Sequence, residues 1–401
     1  MTFSVRQSVN DSQLDFQLAT QLIIEQVKVR HLRCHEGVQW TVNPGLNLIV
    51  GANGCGKTSL LESVYLMAHG RSFRQSRSPF LVQHGETSFM IQGQWKRFGP
   101  MHLTVAGRKG KTTLRLQGRE IQRRKDVSDS FPVLVEAPQG KKIIDGAPGE
   151  RRRWLDALMM TCLEHTRMHY ERYLRAVMQR GRLLRRHNFS AELDAWEQQI
   201  MQHGLYIVSA RNQLVEELNT LLLDEQGLTE QAVTLSVSMP EYSESIWLER
   251  LRSKRDDDAR VGSLRFGPHV DAMNISYQGR EIRSAGSRGQ QKLAAIALKM
   301  AECALWSRYR RLIPVILLDD CMEALDRQRQ QRLLTRLQRS PAQILMTAPD
   351  GIEISDDMGI DIQMLTKHGL CDFHAGQALV TIKKAWINER DMMNSDMEEA
   401  V

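Results

Sequence analysis

Gly51-Ala52-Asn53-Gly54-Cys55-Gly56-Lys57-Thr58 follows the apolar run Leu46-Asn47-Leu48-Ile49-Val50 and leads into Ser59-Leu60-Leu61-Glu62. It fits G-x-x-x-x-G-K-[ST] at every fixed position, with a strand pattern before it and a helix pattern after it. Glycines there let backbone N–H groups curl around an anion, and the helix N-terminus adds its positive dipole end. Gly51, Ala52, Asn53, Gly54, Cys55, Gly56, Lys57, Thr58 and Ser59 are therefore read as an ATP-binding loop. Lys57 is expected to reach the β- and γ-phosphates and Thr58 to place its hydroxyl on Mg²⁺. Lys57 is further expected to stand exposed in the empty loop, a point charge whose loss leaves the fold intact.

Working outward, Val315-Ile316-Leu317-Leu318 runs into Asp319-Asp320. A buried strand delivers a carboxylate at its C-terminal tip, where open parallel sheets bind ligands. Asp319 is the candidate Mg²⁺ ligand, chiefly through the water shell. Asp320 is placed to orient or deprotonate the attacking water, with Lys57 as its catalytic companion. A third stretch, Ser287-Arg288-Gly289-Gln290-Gln291-Lys292, opens an apolar helix. Alone it reads as a helix N-cap. Shortly before the Asp-Asp strand it reads as the signature of an ABC-type ATPase. One chain has no use for a second phosphate site, so Ser287, Gly289 and Gln290 are expected to close on ATP held by another copy. That makes the expected assembly an ATP-dependent homodimer.

Strand patterns also occur at 22–29, 89–95, 101–105, 112–116 and 132–135. From about Glu150 the apolar spacing changes to three and four residues, through Trp154, Leu158 and Cys162, and later Leu193, Ile200, Leu214 and Leu221. Strand patterns return at 232–238, 264–266, 273–277, 315–318 and 343–347, with a last pair within 360–382. The predicted class is α/β: an ABC-type ATPase head with mixed and antiparallel sheets around the phosphate-loop core, carrying an inserted, all-helical lobe. The expected divisions are an extension over 1–20, head over 21–149, lobe over 150–259, head again over 260–388, and an acidic tail over 389–401.

Composition narrows the class. The chain has 401 residues and a net charge of +7, with charged residues at 25% and hydrophobic ones at 42%, as in ordinary folded proteins. Arginines cluster at Arg151-Arg152-Arg153 and along a helical run from Arg167 to Arg186, which suits a polyanionic partner. The helical run reads equally as a charged, solvated face or as a surface for the DNA backbone; on the second reading Arg182, Arg185 and Arg186, with Arg71 and Arg74, are the candidate DNA contacts, reading phosphates rather than bases. The six cysteines are scattered without a C-x-x-C pair, the pattern of reduced thiols in a cytoplasmic protein. No apolar run reaches membrane-spanning length. His165 and His169 lie one helical turn apart, but arginines surround them and no third ligand accompanies them, so they are read as a solvated or phosphate-facing helix and not a metal site.

Several stretches carry a resemblance. Leu61-Glu62-Ser63-Val64-Tyr65-Leu66-Met67-Ala68-His69-Gly70-Arg71-Ser72-Phe73-Arg74 resembles the segment after the phosphate loop in the RecF family of recombination-mediator ATPases. Gly149-Glu150-Arg151-Arg152-Arg153-Trp154, Gly267-Pro268-His269, Gly289-Gln290-Gln291-Lys292 and Leu317-Leu318-Asp319-Asp320 agree in the same order. The resemblance spans residues 22–382. It implies a weak, DNA-stimulated ATPase that binds single-stranded and gapped duplex DNA as an ATP-bound dimer. It also implies RecR and RecO-type partners and help in loading RecA. Pro138-Gln139-Gly140 departs from the family's Pro-Glu-Asp, and Gln139 falls where other ABC ATPases place a metal-contacting glutamine. Gln139 is thus a candidate metal and catalytic residue. Val270-Asp271-Ala272 and Glu323-Ala324 are further departures.

Other classes fit less well. In a transporter's nucleotide-binding subunit the signature follows the lysine by about a hundred residues, whereas Ser287 follows Lys57 by 230 (287 − 57). A DNA tether with long coiled coils needs a much longer central insertion. An ABC-type ATPase subunit of a nuclease or other DNA-processing complex stays open as the alternative, as does a binding protein that does not hydrolyse ATP.

Overall fold

A computed structural model describes residues 19–74, 78–108, 110–138, 143–186, 190–238, 243–350, 360–366 and 369–372. Residues 1–18, Gln139 and the tail 389–401 lie outside them. Two compact units divide the chain, 1–142 with 288–401, and 143–287. These boundaries differ from the expected 150 and 260.

The first unit is built on two six-stranded sheets, with a short parallel pair of β1 (Thr20–Gln21) and β13 (Leu312–Ile313) beside them. One is antiparallel: β2 (Ile23–Leu32) and β3 (His35–Thr41) pair with β5 (Ser88–Lys96), β6 (Pro100–Arg108), β7 (Lys111–Leu116) and β8 (Arg119–Glu120), in the order β3-β2-β5-β6-β7-β8. The other is mixed. Its parallel strands are β4 (Leu46–Gly51), β9 (Val133–Glu136), β14 (Val315–Leu318), β15 (Ile344–Pro349) and β16 (Asp361–Thr366), and β17 (Gly369–Asp372) is the antiparallel edge. β4 and β14 are apolar almost throughout because both faces are covered. Helix α1 (Lys57–His69) packs on strands of both sheets and buries nearly every side chain, which explains its lack of a polar face. Gln343 stitches the sheets together. Its amide accepts from Ile24 N at 2.8 Å and donates to Ile24 O at 2.8 Å, serving the backbone groups beside a bulge in β2.

The lobe forms the second unit. Pro148 opens α3 (Pro148–Cys162) at the position where a missing N–H costs nothing. α4 (Thr166–Arg185) and α5 (Ala191–Asp224) then pack against each other. The strands expected at 232–238 and 273–277 form, but they lie in this unit, so it is not the all-helical lobe expected. β10 (Val233–Ser238), β11 (Ala272–Tyr277) and β12 (Arg280–Glu281) form an antiparallel sheet whose first strand packs on α5. The strand expected at 264–266 does not form. Gly267 turns the chain at φ 108°, and the Leu264 carbonyl takes its hydrogen bond from His269 Nε2 at 3.0 Å instead of from a neighbouring strand. His269 Nδ1 is then left to accept from the Tyr173 hydroxyl at 2.7 Å, and a β-carbon on Gly267 would lie 2.5 Å from that hydroxyl oxygen. Gly267-Pro268-His269 is therefore a structural turn that anchors α4.

Not every arginine of the lobe faces outward. Arg180 is buried, bonded to Glu197 at 2.9 Å, Asp258 at 2.7 Å and the Leu251 carbonyl at 2.7 Å. Arg211 Nε, also buried, donates to Asp156 at 2.9 Å. His169 stacks on Tyr206 at 3.7 Å, with its Nδ1 3.0 Å from that of His203. Among the described residues no group of three metal-ligating side chains forms.

Burial holds the pKa of His169, His203 and His269 below the ordinary value, with neighbouring cations adding to the effect. A histidine depressed in the folded state stabilises it fully above the unfolded value of about 6.5, and that stability is lost as pH falls through the folded value. The melting temperature should therefore drop between about pH 7.5 and about pH 5.5. An unchanged or higher melting temperature at the acid end contradicts this. No helix among the described residues is long and apolar enough to cross a membrane.

Candidate nucleotide site

β4 ends at the loop and α1 begins at Lys57, so strand and helix meet as their sequence pattern requires. A cavity of about 450 Å³ opens over the loop, lined by Asn53, Gly54, Gly56, Lys57, Thr58 and Ser59, with Cys34, Arg74, Asp320, Glu323 and Pro349 opposite. Gly56 has φ 105°, and a β-carbon there would lie 2.5 Å from the His35 ring. Only glycine fits between loop and ring. His35 Nε2 sits 3.1 Å from the Gly56 carbonyl, and burial keeps its pKa low, so the loop rests on a neutral imidazole. The first-turn N–H groups of α1 have no intrahelical partner and form an anion cradle at its N-terminus.

Lys57 is not exposed as expected. It is 6% exposed, and Nζ donates to the carbonyls of Gly51 at 2.6 Å and Ala52 at 3.0 Å. The loop thus folds around its own ammonium, because two backbone carbonyls near the cradle need a donor.

Asp319 stands at the tip of β14. Its Oδ1 accepts from the Thr58 hydroxyl at 3.0 Å and the Thr347 hydroxyl at 2.8 Å. Burial pushes its pKa above the usual carboxylate range, partly offset by the two hydroxyls. The Thr58 hydroxyl and Asp319 carboxylate form an oxygen pair of the hard-donor kind that Mg²⁺ takes. Thr347 is a site residue that sequence reading missed; its signal is a lone hydroxyl in the otherwise apolar Ile344-Leu345-Met346-Thr347-Ala348.

Asp320 lines the cavity with φ 51°, a left-handed conformation that costs a non-glycine residue about 1–2 kcal/mol. Two contacts hold it there. Its N–H donates to Thr347 Oγ1 at 2.9 Å, and its carbonyl accepts from Lys292 Nζ at 2.5 Å. Lys292 also donates to the Glu323 carbonyl at 3.1 Å. Lys292 lies on α10 (Arg288–Arg310), the signature helix, and Gly289 on the same helix leaves room for only 3.0 Å between a β-carbon and the Ala324 carbonyl. Lys292→Met should leave ATP affinity within about twofold and lower turnover on the order of 10²-fold through misplacement of Asp320. A turnover equal to the parent's removes this role.

Glu62, fully buried on α1, organises the opposite wall. It takes a two-pronged bond from Arg33 at 2.9 and 3.0 Å, a short bond from the Ser72 hydroxyl, and a contact from Arg74 at 3.9 Å. Arg74, expected on a DNA-facing surface, is thereby brought into the nucleotide cavity. Phe73 packs in the core against Tyr65 at 5.5 Å. Arg71, by contrast, is exposed, as are Arg182, Arg185 and Arg186. Ser287 is exposed just before α10, while Gly289 and Gln290 are not part of the cavity wall. Gln139 lies outside the described residues.

A phosphate loop, an Asp-Asp strand tip and a signature helix on one mixed sheet define an ABC-type ATPase head. Comparison with known proteins agrees. The family described as RecF/RecN/SMC N terminal domain matches residues 23–357. The DNA replication and repair protein RecF of Heliobacterium modesticaldum is 31% identical over 342 residues, covering 81% of this chain and 91% of that protein. That of Xanthomonas axonopodis pv. citri is 31% identical over 360 residues, covering 86% and 97%. The chain belongs to the RecF family. A solved structure of the recombination mediator protein RecF with ATP, from the RecFOR pathway, shares the fold with a TM-score of 0.71 at 22% identity, covering 89% of this chain and 99% of that one. The Smc head domain from Pyrococcus furiosus is more distant, with a TM-score of 0.54 at 15% identity over 87% of this chain and 95% of that one.

Proposed function

We propose that the chain is an ATP-dependent DNA-binding protein of recombinational repair and replication maintenance. In this reading it acts in the cytoplasm at single-strand gaps and junctions as an ATP-induced dimer and assists RecA loading with RecR and RecO-type partners. The observation that carries it is the convergence of Lys57, Thr58 and Asp320 on one cavity beside a signature helix, with Asp319 bonded to Thr58 at its edge.

The residues present fit Mg²⁺-ATP. Gly56 lets the loop close on His35, Lys57 and Arg74 supply positive charge, and Thr58 with Asp319 would hold the metal. Bound Mg²⁺ would neutralise phosphate charge. Asp320, fixed through its backbone by Thr347 and Lys292, would orient or deprotonate the attacking water. Ser287, Gly289 and Gln290 would complete the site of a second copy, and Gln139 would add a metal contact. Arg71, Arg182, Arg185 and Arg186 would bear on the DNA backbone.

The test is ATP turnover with and without a gapped duplex, together with DNA binding in each nucleotide state. Slow turnover that rises with gapped DNA, and DNA affinity that needs Mg²⁺-ATP, are expected. Turnover indifferent to DNA and no nucleotide-dependent binding would sink the reading.

A further inference from the structure

The lobe contains a second cavity, of about 390 Å³, with charged side chains around a partly apolar floor of Val261 and Phe266, and its size is within the range of ligand sites. Four cations line it from successive segments. Arg250 comes from the last turn of α7 (Glu244–Ser253), Lys254 from the junction, Arg260 from α8 (Arg255–Val261), and Arg265 from the returning chain after Gly262. Gly262 has φ 78°, and this left-handed turn brings Arg265 back toward the end of α8.

The two acids on the wall are already engaged. Asp258 is buried and bonded to Arg180 at 2.7 Å, and Asp257 pairs with Lys254 at 3.0 Å. Arg250, Arg260 and Arg265 have no carboxylate within ion-pair distance among the described residues, although Arg260 and Arg265 stand near enough to the exposed Asp257 to help Lys254 lower its pKa. Arg250 is held in place, its guanidinium 4.8 Å from the centroid of the buried Phe266 ring. The basic track continues along α4, whose Arg185 Nη1 donates to the Gly262 carbonyl at 3.1 Å, between Arg260 and Arg265 in the chain.

Cations in the last turn of a helix also complement its dipole, and that accounts for Arg250, Arg260 and Arg185. It does not account for Arg265, which belongs to no helix, nor for their convergence on one cavity. Planar guanidinium forks match phosphate oxygens two at a time. A track of several forks suits a chain of phosphates better than a single one.

We propose that this cavity binds the sugar–phosphate backbone of DNA through Arg250, Arg260 and Arg265. This rests on the DNA-binding reading above and adds to it a defined phosphate site on the lobe.

The experiment compares the full-length chain with an Arg250→Ala/Arg260→Ala/Arg265→Ala variant by fluorescence anisotropy of a labelled gapped duplex over a salt series, with ATP affinity as control. Each phosphate deprived of its arginine lowers the slope of log affinity against log salt by about 0.9, so the triple variant should lose roughly 2 to 3. Arg265→Glu alone, on a segment outside any helix and least able to disturb folding, should weaken binding about tenfold near 0.1 M salt. ATP affinity should not move in either. Slopes and affinities equal to the parent's in both variants overturn the cavity while leaving DNA binding itself standing. A parent that binds no DNA in any nucleotide state overturns both readings. Displacement of the DNA by polyglutamate at matched charge, with polyglutamate binding lost in the triple variant, overturns the assignment to nucleic acid in favour of an acidic polypeptide.

Discussion

Lys57→Met should lower ATP affinity on the order of 10²- to 10⁴-fold, the loss expected for two charge-assisted hydrogen bonds to phosphate at about 1.5–3 kcal/mol each. The argument starts from the ammonium's position. Nζ is buried at the mouth of the cradle, and the loop carbonyls of Gly51 and Ala52 already hold it there. Little side-chain entropy is then left to lose when phosphate arrives. Methionine keeps an unbranched apolar stem at the first position of α1 and removes the charge. Two loop carbonyls lose their donor, which costs about 1–3 kcal/mol each if water cannot reach them. The mutant should therefore melt somewhat lower than the parent without nucleotide, yet remain folded, because the core between the two sheets does not include Lys57. Calorimetric titration with Mg²⁺-ATP and a thermal melt decide it. Affinity within about threefold of the parent would mean that the cavity over the loop is not the nucleotide site.

The second large effect concerns assembly. Ser287→Arg should bind ATP as a single chain and fail to dimerise in Mg²⁺-ATP, with turnover falling on the order of 10²-fold as the site loses its completing residues. Ser287 is exposed at the start of the signature helix, whereas Gly289 behind it is pressed against the Ala324 carbonyl. A long guanidinium at position 287 adds bulk and removes the hydroxyl donor, with no core to disturb. Mass in solution is the readout. A parent that stays monomeric at high concentration with Mg²⁺-ATP, or a variant that dimerises as the parent does, refutes the shared site.

What the sequence by itself determined was local. The phosphate loop is legible because its glycines permit backbone angles such as φ 105° at Gly56, and no distant contact is needed to require them. The tip of β14 is legible because four apolar residues before two acids mark a strand buried on both faces. Which partner each polar side chain takes was decided by tertiary structure. Thr58 meets Asp319 across 261 residues of chain, and Lys292 meets the Asp320 carbonyl across 28. Arg180 and Arg182 sit two apart on α4 and look alike in the sequence, yet one is buried between carboxylates and the other is exposed. A charge written in a sequence carries no record of its partner. Glu62 shows the same: its buried carboxylate is paired by Arg33, 29 residues earlier, with Arg74 at 3.9 Å from the other side, because burying an unpaired charge would cost several kcal/mol.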